Sequence, residues 1–189
     1  MAEKRLSGLK VAAIVTDGVE QVELLEPKKA LENAGAEVKV IAPKPGKIQG
    51  FKHYDKADQI PVDLALERAN PVDFDAVLLP GGVINADALR MEKKAQDFVR
   101  VIDRAGKPIA VICHGPWLLV SAGLTLGRVL TSWPTLQDDL RNGGAKWEDR
   151  EVLRDDNWVS SRKPADIPAF NREMINLFAE VRQRARKTA

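Results

Sequence analysis

The chain has 189 residues, 44% of them hydrophobic and 30% charged, with a formal net charge of +2, which is enough for one globular domain with a sizeable core. A single cysteine excludes an intrachain disulfide and fits a reducing compartment; no apolar run approaches a membrane span, and the run in MAEKRLSGLKVAAIV is too short for a signal peptide. The one concentration of charge, Arg182, Arg184, Arg186 and Lys187, reads as a solvated helix end, and no aromatic-rich basic patch supports nucleic-acid binding. The expectation is a cytoplasmic protein, one domain over residues 1–189, with neither membrane nor nucleic acid as a partner.

Val11–Thr16 is a short apolar run closed by Asp17-Gly18, the pattern of a buried strand and a turn. A helical pattern follows through Val19, Val22, Leu24, Leu25, Ala30 and Leu31 to Gly35, and Pro27 predicts a bend or a late start within it. Val38–Ala42 is a second strand, stopped by Pro43 and Pro45, and Gly46–Gln59 reads as a polar loop carrying Gly50, His53 and Tyr54. Pro61–Leu66 begins a short strand or helix. Phe74–Pro80 is a strand ending in Gly81-Gly82, and a helix is expected from about Asp87 to Arg104, with Leu89, Ala95, Phe98, Val99 and Ile102 on one face.

Pro108–Cys113 is almost wholly apolar, the profile of a strand buried on both faces. The chain then turns at His114-Gly115-Pro116 into a helix that ends at Gly123, with Pro116 suited to its first turn. Arg128–Ser132 predicts another strand and Thr135–Arg141 a helix. Trp147, Glu151–Arg154 and Trp158–Ser160 predict short strands, with a turn at Asp155-Asp156-Asn157. Asp166–Arg186 closes the chain as an amphipathic helix. Alternating strands and helices with uninterrupted apolar strands indicate a flavodoxin-like, three-layer α/β/α sandwich with a mainly parallel sheet. In such folds ligands bind beyond the carboxyl ends of the strands.

Cys113 therefore lies where a strand tip meets a helix N-terminus, the geometry of a nucleophile elbow. The helix end is expected to favour thiolate over thiol. A lone cysteine in an apolar run is as often a small buried hydrophobe, but an imidazole and a glycine directly after it suit a tight, strained turn. Glu20 and Glu23 are three residues apart, hence on one face of the helix that follows; acids in a first helical turn also stabilise it by about 0.3–1 kcal/mol without further purpose. These carboxylates oppose a pyrophosphate at that turn. Gly81-Gly82 either makes a simple turn or lets backbone N–H groups approach a substrate oxygen as an oxyanion hole. Two histidines and one cysteine are too few for the usual protein-only zinc site, so no metal and no cofactor are expected.

Four segments together resemble the PfpI family of intracellular cysteine proteases and deglycases, within the class I glutamine amidotransferase-like superfamily. They are GVEQVELLEP at 18–27, DAVLLPGG at 75–82, GKPIAVICHGPWLLVSAG at 106–123 and GGAKWEDREVLRDDNWVSSRKPADIPAFNRE at 143–173. The resemblance implies Cys113 as nucleophile, His114 beside it, Glu23 hydrogen-bonded to the cysteine sulfur and Glu20 as a second nearby acid. It also implies a homodimer or higher homo-oligomer. In protease members a carboxylate from a neighbouring subunit completes the site, and Asp87 matches it best, although the segment from Gly82 is one residue longer than in several relatives. Trp117 stands where relatives often carry glutamine, which implies a more apolar pocket wall.

The expected function is that of a stress-response cysteine enzyme acting on reactive carbonyls, of glyoxalase or protein-deglycase type, or on peptides. Its partners are then a small carbonyl, a glycated protein or a peptide. The alternatives are a non-catalytic redox-sensing or chaperone-like protein that uses the same oxidisable cysteine, and a catalytically silent scaffold. A glutamate beside a thiolate sets two anions together, and the simplest resolution is a protonated carboxyl that donates to sulfur.

Overall fold

The computed structural model describes residues 4–188, and their side chains save those of 182 and 184–188. The basic end read from Arg182, Arg184, Arg186 and Lys187 thus lies outside the described side chains. The elements are β1 Lys10–Ile14, β2 Val19–Glu20, α1 Gln21–Asn33, β3 Glu37–Ala42, β4 Lys47–Lys52, β5 Asp55–Pro61, β6 Leu64–Ala65 and β7 Ala76–Leu79. They continue with α2 Val83–Met91, α3 Lys93–Arg104, β8 Ile109–Ile112, α4 Pro116–Ser121, β9 Val129–Leu130 and α5 Gln137–Asn142. The last are β10 Lys146–Trp147, β11 Val152–Asp155, β12 Trp158–Ser161 and α6 Ile167–Thr188.

The main sheet has the order β11-β12-β8-β7-β1-β3-β6, parallel throughout except for the antiparallel β11–β12 pair. Successive strand side chains point to opposite faces, and here both faces are covered, which is why the strands carry uninterrupted apolar runs. Val11, Ala13, Leu78 and Ile112 pack with Leu24 and Leu31 of α1 and with Phe170 and Phe178 of α6. Ala12, Ile14, Leu79 and Val111 pack with Leu89, Phe98, Ile102, Leu118 and Leu140 from α2, α3, α4 and α5. The result is the flavodoxin-like three-layer sandwich. Strand order reverses between β1 and β7, so a crevice opens at their carboxyl ends. Among the described residues no helix is long and apolar enough to cross a membrane.

Three expectations change. Gly46–Gln59 is not a loop: β4 and β5 form an antiparallel hairpin turning at His53-Tyr54. Its apolar signal is thin because Ile48 and Ile60 are its only buried large side chains. The helix expected from Asp87 to Arg104 is two helices, since Glu92 is extended (φ −76°, ψ 103°), and the first of them begins earlier, at Val83. At the first turn, Val19 and Glu20 pair with Gly50 and Phe51 of β4, so α1 starts at Gln21 and runs on through buried Pro27.

The end of the sheet opposite the crevice is tied by Asp103, whose carboxylate accepts from Trp158 Nε1 (2.7 Å), Arg128 Nη2 (3.0 Å) and Asn157 Nδ2 (3.1 Å). Asp103→Ala strands these donors and is expected to lower the free energy of unfolding by about 2–3 kcal/mol. Urea unfolding measures the loss, while alkylation of Cys113 in the folded protein keeps its rate.

Candidate active site

β8 delivers Cys113 one residue beyond its end, with φ +60°, a left-handed conformation that costs a non-glycine residue energy and lifts its side chain off the strand. Backbone bonds hold the strain: Cys113 N–H donates to Ser161 O (3.1 Å) and Cys113 O accepts from Trp133 N–H (3.0 Å). Gly115 lets this turn close on the neighbouring strand, since a Cβ there would sit 2.6 Å from Leu79 O.

Gly81, just past β7, is the meeting point of the site. A Cβ on it would lie 2.4 Å from Glu23 Oε2, 2.5 Å from Cys113 Cβ and 3.0 Å from Cys113 Sγ, so the glutamate and the cysteine converge on a bare backbone. Gly81 N–H donates to Glu23 Oε2 at 2.9 Å. Fully buried Asn85 of α2 fixes this junction: its Oδ1 accepts from Thr16 N–H (2.7 Å) and its Nδ2 donates to Gly81 O (2.9 Å) and Pro80 O (3.2 Å). Above these groups opens a cleft of about 620 Å³. Cys113, His114 and Glu23 line its floor, and Phe51, Tyr54, Val83, Ile84 and Trp133 line its walls. Among the described residues no three His, Cys, Asp or Glu side chains gather as a metal ion would require.

A sequence profile of the DJ-1/PfpI family matches residues 9–177. The chain belongs to the DJ-1/PfpI family. It is 43% identical over 169 residues to the deglycase TK1284 of Thermococcus kodakarensis, across 89% of this chain and 99% of the relative. It is 40% identical to protein/nucleic acid deglycase 2 of Escherichia coli, across 89% of this chain and 96% of that one. Among solved structures, DJ-1beta of Drosophila melanogaster superposes with a TM-score of 0.83 at 28% identity, covering 90% of each chain.

In this DJ-1/PfpI chain the candidate residues divide. Cys113, His114, Glu23, Gly82 and Glu20 all line the cleft. Glu20 arrives differently from the expected helical face: it precedes α1, and its Oε2 accepts from His53 N–H (3.0 Å), tying the tip of the β4–β5 hairpin to the site. Gly81 has its N–H engaged by Glu23, whereas the N–H groups of Gly82 and His114 bond to the sulfur. Asp87 is exposed on α2 and lines no part of the cleft of its own chain. Trp117 is not a pocket wall. It packs edge-on against His114 (centroids 5.3 Å apart) and donates Nε1–H to Asp139 Oδ2 at 3.0 Å. The hairpin residues Phe51 and Tyr54, the α2 residues Val83 and Ile84, Asn85 and Trp133 are additions; Asn85 lay outside the helix expected from Asp87, so nothing in that pattern marked it.

Burial dominates the electrostatics. It pushes the Glu23 carboxyl from an ordinary 4.5 up to about 8, with the charge of Glu20 adding to the rise and hydrogen bonds to Cys113 and Gly81 N–H opposing it. Glu23 Oε1 has no hydrogen-bond partner, a further reason for the neutral form. Burial likewise pushes the Cys113 thiol well up, and an ionised Glu23 would push it further; the Gly82 and His114 N–H groups pull it down. This corrects the expectation of a resting thiolate made by a helix end: α4 has six residues and begins after Gly115, too short and too far along to outweigh burial. His114 lies with Nδ1 3.2 Å from the sulfur and is stacked on Trp133 (5.9 Å), and burial lowers it to about 4. At neutral pH the imidazole is therefore uncharged and the carboxyl holds the proton.

A carboxyl that is neutral in the fold and ionised in the unfolded chain loses stability as pH rises. Between pH 4.5 and about 8, the protein is expected to lose about 1.4 kcal/mol per pH unit relative to Glu23→Gln. Denaturant titrations of both proteins across that window test this; parallel pH profiles would refute it.

Proposed function

We propose that the protein is a cysteine enzyme that acts on reactive carbonyls, converting α-oxoaldehydes to α-hydroxy acids and removing the same groups from glycated amines and thiols. The observation that carries this reading is the convergence of Cys113 and a raised Glu23 carboxyl under Gly81 at the floor of an open cleft. The deglycase names of its relatives agree with it.

The fraction of Glu23 that is ionised near neutral pH supplies the nucleophile: its carboxylate takes the thiol proton of Cys113, so the sulfur attacks as a thiolate while the carboxyl carries the proton. The sulfur then forms a C–S bond to the aldehyde carbon, and the C=O π pair moves to oxygen, where the Gly82 and His114 N–H groups stabilise it and Glu23 protonates it. One proton then passes from the sulfur-bearing carbon to the adjacent carbonyl carbon, and another from oxygen to oxygen. The first carbon is thereby oxidised to a thioester and the second reduced to an alcohol, so no outside oxidant or reductant is needed. Water cleaves the thioester, releases the hydroxy acid and restores the thiol. With a glycated amine, the amine leaves as the sulfur takes the carbon. Glu23, not His114, is the proton carrier, because a group near 8 gives and takes protons at neutral pH and one near 4 does not. In the peptidase form of the reading, Asp87 enters only from a second copy of the chain.

Lactate formation from methylglyoxal is expected to vanish in Cys113→Ala and to fall in kcat by about 10²-fold in Glu23→Gln with the fold retained. A protein that turns over no oxoaldehyde and no glycated peptide, yet oxidises Cys113 at low peroxide, contradicts the enzyme and supports the redox-sensing alternative.

A further inference from the structure

The cleft is far larger than a three-carbon aldehyde requires. Its volume of about 620 Å³ falls in the range that encloses drug-sized ligands, roughly 300–1,000 Å³. Cys113, His114 and Glu23 sit together at the floor, and the apolar part of the wall is Phe51, Tyr54, Val83, Ile84, Trp133 and Pro164, with Glu20, His53 and Thr135 as its polar members. Much of that wall is uncovered: Tyr54 is 98% exposed, Ile84 55% and Val83 53%. These side chains are positioned rather than loose. Ile84 Cβ occupies the space a side chain on Gly18 would need, 2.4 Å from the missing Cβ, and the Glu20 carboxylate holds the hairpin tip that carries Tyr54. The lining contains Glu20 and the protonated Glu23, the imidazoles of His53 and the uncharged His114, and neither lysine nor arginine, so its carboxylate is that of Glu20.

We propose that this cleft selects neutral carbonyl compounds with a bulky apolar, and preferably aromatic, body and rejects anionic ones. The inference rests on the reading that Cys113 attacks a carbonyl at the cleft floor. An apolar body seated on Trp133, Phe51, Val83 and Ile84 leaves water and covers exposed hydrophobic surface, and aromatic rings add edge and face contacts to that. A carboxylate or phosphate on the same body would lose its hydration beside the Glu20 carboxylate, with no lysine or arginine in the lining to receive it. The selectivity therefore comes from the hairpin and the start of α2, and the chemistry from the strand ends beneath them.

The test compares phenylglyoxal, 4-carboxyphenylglyoxal and methylglyoxal as substrates, each rate divided by the compound's rate of addition to a free thiol. Phenylglyoxal is expected to exceed both others in kcat/KM by at least about ten-fold, which corresponds to about 1.4 kcal/mol. Val83→Lys is expected to raise the ratio of carboxylated to neutral substrate by about ten-fold. Equal use of phenylglyoxal and its carboxylated form, or methylglyoxal matching phenylglyoxal, overturns the inference and leaves the carbonyl reading in place. Should no oxoaldehyde be turned over, that reading falls, and binding to Cys113→Ala decides the inference alone. Saturation-transfer NMR must then show acetophenone bound in the cleft and benzoate at least about ten-fold weaker; equal binding, or none, overturns it.

Discussion

The site depends on one act of burial: a glutamate from the first turn of α1 is carried under the sheet edge and set against the sulfur of the elbow cysteine, with only a glycine between the strands to make room. Solvation would keep Glu23 ionised and repel a thiolate beside it. Removed from water, the carboxyl keeps its proton to about pH 8, and the same proximity becomes a donor–acceptor contact. Gly81 is indispensable to that arrangement, because any side chain there would collide with both partners.

The sheet brings these groups together by topology. Glu23 follows β1, Gly81 follows β7 and Cys113 follows β8, adjacent parallel strands whose carboxyl ends lie side by side at the reversal of strand order. Asn85 then bridges the β1 and β7 exits by bonding Thr16 N–H and the Pro80 and Gly81 carbonyls. The left-handed backbone at Cys113 is tolerated because both its N–H and its carbonyl are bonded to neighbouring segments.

How much of this could be read from the chain varied with how local its cause was. The turn at Cys113 was legible because an apolar run followed by His114, Gly115 and Pro116 ends a strand and opens a helix. The sheet and α6 were legible from unbroken apolar periodicity. The β4–β5 hairpin was not, since its residues face solvent on most sides and its strands are fixed by pairing with each other and, through β4, with β2. Glu20 and Glu23 both line the cleft, but the helical reason for pairing them does not hold for Glu20, which belongs to that small sheet. The break at Glu92 and the exposure of Asp87 depend on how α2 packs, and α2 is placed by contacts made at Gly82 and Asn85 rather than by its own periodicity. Thiolate character was misjudged because a helix end was weighed without the burial that the fold imposes on the sulfur.

The central claim is that Glu23 holds its proton at neutral pH beside Cys113. The most direct measurement is the infrared difference spectrum between wild type and Glu23→Gln, titrated from acid through alkaline pH. The account predicts a protonated-carboxyl carbonyl band in wild type that persists through neutrality and disappears near pH 8. A carboxyl that ionises near its ordinary 4.5, leaving no such band at neutral pH, would contradict it.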